Sequence, residues 1–398
     1  MDSSTQHANG AAPEGATGPE FTPLRRTAVP AAVAEGEAGD SVPRGTPAVA
    51  LEPARAPAES DSDDEFVAPR RPAQRRAAAP TATDFTSERL LRPRAEVPRS
   101  GLRRLIYRLT GGRVNLGPSQ AELAERDMVA RAKARVVGCR RIAVMSRKGG
   151  VGKTTTTLQL GHTFASHRGD RVIALDGNPD AGSLAYRVRR ETTATITDLL
   201  RDRDSIARYA DIRAYTSQAA TRLEVVAADD DPSITEALRE QDFYSVVDLL
   251  EHHYNLVLMD TGTGVLESAA KGIVELADQL VVVSGPSLDT ARTAMSTLDW
   301  LGKHGHADLV ANAVAVINQV RPKSQLDLDR VEELFAERVA AVVRIPWDPV
   351  LEAGAEASIE ELAPATRQAY LELAAAVADG FNVDVPEQGN RPRRSIAQ

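Results

Sequence analysis

Beyond about residue 140 the chain alternates between two hydrophobic periods. Seven near-continuous apolar runs, RIAVMS (141–146), RVIALD (171–176), LEVVAA (223–228), NLVLMD (255–260), QLVVVSG (279–285), AVAVIN (313–318) and VVRIP (342–346), are separated by stretches with helical spacing. Leu288, Ala291, Met295, Leu298 and Leu301 mark one such helix, and Leu362, Tyr370, Leu373, Val377 and Phe381 mark another. Uninterrupted Val/Ile/Leu runs suit strands buried on both faces, and their alternation with helices predicts a doubly wound α/β domain with a mostly parallel sheet over 138–382.

The pattern before that domain is different. In GLRRLIYRLTGG, 101–112, Leu102, Leu105, Ile106 and Leu109 fall on one helical face and Arg103, Arg104 and Arg108 on the other, with Gly111 and Gly112 as the stop. Such a basic amphipathic helix fits an anionic membrane, an acidic partner groove, or an apolar patch of its own acidic domain. Ser119, followed three residues later by Glu122, predicts the start of a second helix running to about Arg135. Residues 101–137 therefore read as a helical connector. Residues 1–100 hold 13 of the 23 prolines and three aromatics, Phe21, Phe66 and Phe85, and are expected to be a disordered Pro/Ala-rich tail. A polar, Pro-interrupted stretch at 383–398 is expected to be disordered as well.

Charge sharpens this division. The net formal charge is −8, with balances of −3, +6 and −11 for 1–100, 101–140 and 141–398. An acidic domain argues against non-specific DNA binding, which needs a phosphate-neutralising surface. Within the domain Arg187, Arg189 and Arg190 form a tight basic cluster, readable as a solvated helix face or as a DNA or partner contact. The run SDSDDE, Ser60 to Glu65, reads as a solvated acidic patch or a phosphorylation site. One cysteine, Cys139, excludes an intramolecular disulfide framework, and the seven histidines show no metal-ligand spacing. With no apolar run of membrane-spanning length and no basic-apolar leader, a cytoplasmic protein is expected, touching membrane at most peripherally.

The strongest motif is SRKGGVGKTTTT, Ser146 to Thr157, between a predicted strand and a predicted helix. Glycines there let backbone N–H groups converge on phosphate at a helix N-terminus. Lys153 is placed to reach the β and γ phosphates, and the Thr154 hydroxyl to ligate Mg²⁺. Two further carboxylates, Asp176 and Asp260, close the strands RVIALD and NLVLMD.

The loop carries Arg147 where the common pattern has glycine, and an additional Lys148 before Gly149 and Gly150. In this it resembles the MinD/ParA family of dimeric P-loop ATPases, whose loop reads KGGxGK[ST]. The resemblance implies ATP and Mg²⁺ as ligands, with Gly149, Gly150, Val151, Gly152, Lys153, Thr154 and Thr155 cradling the phosphates. It implies Thr154, Asp176 and Asp260 at the metal, and Lys148 crossing a homodimer interface to the partner's nucleotide. Asn318 and Pro346 are carried over as adenine contacts, although Asn318 also suits a strand-to-loop turn. Where the family shows D-x-D-P, this chain has Asp176 and Pro179 but Asn178 in the second acidic position. An amide orients water without accepting its proton, so hydrolysis is expected to be slow or partner-stimulated, with Asp180 near enough in sequence to compensate.

The long tail, RRLIYRLTGGRVNLGPS, DTGTGVLESAAKG, LDWL and IPWDPVLEAG resemble EspI-type, MinD-like proteins associated with actinobacterial type VII secretion. That implies an ATP-dependent dimerising switch with secretion components as protein partners. The alternatives are a ParA-like partitioning ATPase and a nucleotide-binding scaffold without turnover. A bacterial tyrosine kinase is disfavoured by the lack of a C-terminal tyrosine cluster.

Overall fold

Each of the seven apolar runs forms a strand. In the computed structural model these are β1 (Arg140–Met145), β2 (Val172–Gly177), β4 (Glu224–Val226), β5 (Leu256–Thr261), β6 (Gln279–Ser284), β7 (Val314–Val320) and β8 (Ala341–Pro346), joined by a two-residue β3 (Ser217–Gln218). The structure describes residues 97–98, 101–178, 182–229, 239–263 and 268–382. The expectations for 1–96 and 383–398, and those for Pro179 and Asp180, lie outside the described residues.

The strand order is β3-β4-β2-β5-β1-β6-β7-β8, parallel throughout except for β3 against β4. Apolar runs predict the parallel core, whereas β3 is too short and polar to register as a pattern. Alternate side chains of each strand feed opposite layers. Ala143, Met145, Ile173, Leu175, Val257 and Met259 pack beneath Phe243, Val246, Ile273 and Leu298 on one face. Ile142, Val144, Val172, Leu256 and Leu258 pack beneath Leu160, Phe164, Tyr370 and Val377 on the other. Burial on both faces is what these continuous runs require.

The helices used below are α1 (Gly101–Leu109), α2 (Gln120–Ala132), α3 (Lys153–His167), α4 (Glu240–Glu251), α5 (Ser268–Leu276), α6 (Leu288–Lys303), α7 (Leu328–Ala336) and α8 (Pro364–Asp379). α4, α6 and α7 cover the first face, while α3 and α8 cover the second. Pro364 at the first turn of α8 explains why this helix begins after Leu362, since proline's fixed φ suits that position.

α1 and α2 form where the apolar spacing places them. α2 has the full capping box, with Ser119 Oγ accepting from the Glu122 N–H and Glu122 Oε2 accepting from the Ser119 N–H. It ends on fully buried Ala132, within the α3/α8 layer, and Arg131 pairs with Asp379 of α8. α1 instead has no buried residue, and Leu102, Leu105 and Leu109 are 70%, 52% and 77% exposed. Its apolar side therefore does not cover a patch of its own domain among the described residues. Among these residues no helix is long and apolar enough to cross a membrane.

Candidate functional site

β1 passes through 146–152 directly into α3, placing the glycine-rich loop at the C-terminal edge of the sheet's centre. Gly150 and Gly152 have φ of 74° and 90°, a left-handed backbone that other residues adopt at a cost. A Cβ on Gly152 would also collide with the Asn318 amide. Asn318, buried at the end of β7, donates from Nδ2 to the Val151 carbonyl at 2.8 Å. Its neighbour Gln319, itself left-handed at φ 58°, donates to the Gly150 carbonyl at 3.3 Å. The β-bulge between Ile317 and Val320 thus turns two amides onto the loop. Pro346 lies one strand away, paired with Val320.

Asp176 and Asp260 occupy the same register position of the parallel pair β2–β5. Both are almost wholly buried. Thr154 donates to Asp260 Oδ2 at 2.6 Å and Thr157 to Oδ1 at 3.3 Å, which ties the first turn of α3 to β5. Asp176 accepts from the Leu184 N–H at 2.9 Å and the Asn178 N–H at 3.2 Å. Burial pushes both carboxyl groups above the usual carboxylate range, and Asp260 raises Asp176 further, while Thr154 and Lys153 pull Asp260 back. Two buried carboxylates with a hydroxyl make a hard-oxygen donor set, and their excess negative charge is what a divalent cation such as Mg²⁺ would offset. The loop's backbone amides and Lys153 suit phosphate in the same way.

Lys148 lies outside this nest. Its ammonium, 45% exposed, pairs with Asp289 at the start of α6, 2.8 Å away. Thr155 is held by a residue that the motif does not single out, since Arg187 Nη1 donates to its hydroxyl at 2.7 Å. The Arg187–Arg190 cluster is therefore not a helix face. Ala185–Arg187 is a single 3₁₀ turn, Arg187 reaches inward, and Arg190 donates to the Thr192 carbonyl. Gly182 is a second residue the motif did not identify, and a Cβ there would overlap the Asp176 carboxylate. Its sequence signal was only the glycine following LDGNPDA.

The fold and the phosphate-loop geometry define a P-loop nucleotide-binding domain. The model of the CobQ/CobB/MinD/ParA nucleotide binding domain matches residues 142–359, and the chain belongs to that family. It is 40% identical over 288 residues to the ESX-1 secretion-associated protein EspI of Mycobacterium tuberculosis H37Rv, covering 72% of this chain and 43% of EspI. The chain thus spans less than half the length of that relative. The septum site-determining protein MinD of Synechocystis is 27% identical over 186 residues, 46% of this chain and 65% of MinD. Among solved structures, a ParA family ATPase from Chlorobium tepidum superimposes with a TM-score of 0.51 at 16% identity, over 59% of this chain and 98% of that one.

Proposed function

We propose that the chain is an ATP- and Mg²⁺-dependent switch of the MinD/ParA type, which dimerises on ATP and reopens on slow or partner-stimulated hydrolysis. The observation that carries this reading is the 2.6 Å contact of Thr154 with Asp260, beside Asp176 in register and at the foot of the glycine loop. Thr154, Asp176 and Asp260 would hold the metal, which would supply positive charge to offset that of the phosphates. Gly149 to Thr155 would hold the phosphates with backbone N–H groups, and Lys153 would add charge at their outer end. Asn178 would orient the attacking water through its amide while leaving its proton in place. Lys148, loosely paired and half exposed, is free of burial constraints that would prevent it from reaching a second subunit.

Asn318 and Pro346 stand at neighbouring strand ends, where the base would lie; Asn318 also fixes the loop through Val151. The likeness to EspI supports a type VII secretion component as the protein partner. The domain's acidic balance speaks against DNA as the partner. Any contact with an anionic membrane would run through the exposed apolar side and arginines of α1, at the inner face of the plasma membrane.

The test compares Mg²⁺-ATP turnover of wild type and Asn178→Asp, with dimer content recorded with and without ATP. Wild type is expected to dimerise on ATP with little turnover, and Asn178→Asp to hydrolyse faster. Dimerisation with no turnover in either protein would favour the scaffold, and failure of both to bind ATP would exclude the switch.

A further inference from the structure

Arg187 is placed by Asp176. The residue ahead of its turn's first member, Leu184, is tied through its N–H to Asp176, so the turn Ala185–Arg187 has a fixed relation to the carboxylates. From there the side chain crosses to the first turn of α3 and meets the Thr155 hydroxyl. Among the described residues its Nε is buried without a hydrogen-bond partner. Glu356, Glu360 and Glu361 line the same 610 Å³ cleft, yet among the described residues no carboxylate forms an ion pair with the guanidinium. The loop after β8 closes the far side, where a side chain on Gly354 would stand 3.7 Å from Nη2.

A half-buried guanidinium with a single neutral partner is under-compensated. Desolvation weakens its hold on the proton, and Asp260 and Asp176 oppose this only through space. An arginine in that position is suited to an anion, because its planar fork can take two oxygens at once. Thr154 turns toward Asp260. Thr155, one residue on and so about 100° round the helix, faces the guanidinium instead. The Arg187 flank is therefore separate from the metal side.

We propose that Arg187 is a nucleotide contact, leaving Thr155 to take the phosphates that ADP and ATP have in common. The inference rests on the nucleotide reading above and adds a ligand that the loop motif does not contain. Its test is binding of ADP and of ATP, each with Mg²⁺, to the full chain as wild type, Arg187→Gln and Arg187→Lys, with nucleotide-free melting of each. Arg187→Gln is expected to bind both nucleotides at least tenfold more weakly and to a similar extent, with Arg187→Lys recovering part of the loss. Nucleotide-free melting should be unchanged or raised, because an unpartnered buried N–H is removed. Unchanged affinity in Arg187→Gln would overturn the inference, and so would a loss confined to ATP. Lower nucleotide-free melting with wild-type affinity would reduce Arg187 to a tether for Thr155. Were wild type itself to bind neither nucleotide, the nucleotide reading would fall and this inference with it.

Discussion

Asp176 and Asp260 face each other across adjacent parallel strands, both buried, with Thr154 of α3 bonded to only one of them. Their folded pKa values are raised, so ionisation costs stability once the pH exceeds the ordinary carboxylate value, and that cost is absent below it. Asp260→Asn should therefore stabilise the nucleotide-free protein at pH 8 by on the order of 1 kcal/mol, and the gain should vanish near pH 4. The same variant should lose the Mg²⁺-dependent part of nucleotide affinity. Thermal melting with and without Mg²⁺-ADP reads both effects, and a destabilised Asp260→Asn at pH 8 would contradict the charge argument.

Lys148 and Asp289 are both substantially exposed, so their ion pair contributes little to the folded chain. Lys148→Ala should shift stability by less than about 0.5 kcal/mol. It should nevertheless abolish ATP-dependent dimerisation, seen as a mass that stays monomeric in light scattering with ATP present. Dimers of Lys148→Ala would remove the trans role from this residue.

Gly182 has the Asp176 carboxylate where a methyl group would go. Gly182→Ala should cost about 1–3 kcal/mol through overpacking, and should weaken Mg²⁺-ATP binding as Asp176 is displaced. Gly169, with open space at the same position, serves as the control: Gly169→Ala should bind normally. Equal binding by the two variants would show that Asp176 can move without consequence.

His162 is buried on α3 with Nδ1 2.7 Å from the Thr221 hydroxyl, and burial pushes its imidazole down to about 4. The unfolded chain takes up this proton near pH 6.5, so the contribution of neutral His162 is complete above 6.5 and fades as the pH falls toward 4. His162→Asn should be less stable than wild type at pH 7.5, and the difference should narrow by pH 5. Parallel melting curves for the two proteins across that range would exclude His162 as the source of acid sensitivity.

How much of this was legible in the chain depends on the range of the interaction. The seven parallel strands, the capping box at Ser119 and the loop's glycines are set by local periodicity, hydrogen bonding and backbone freedom, and each was readable from consecutive residues. So was membership of the P-loop family, because KGGVGKTT meets its phosphate largely with its own backbone. The short strand Ser217–Gln218 left no pattern, since two polar residues have no period.

Tertiary structure alone decided what the side chains around the glycine loop do. Asn318 bonds to a carbonyl 167 positions away, and Arg187 reaches a threonine 32 positions back. Neither partner follows from spacing, because the sheet order β2-β5-β1-β6-β7 brings together segments distant in sequence. Sequence also predicted that α1 would be amphipathic, but only the packed structure shows its leucines uncovered among the described residues. Periodicity determines which face of a helix is apolar, whereas what covers that face depends on surfaces formed elsewhere in the fold.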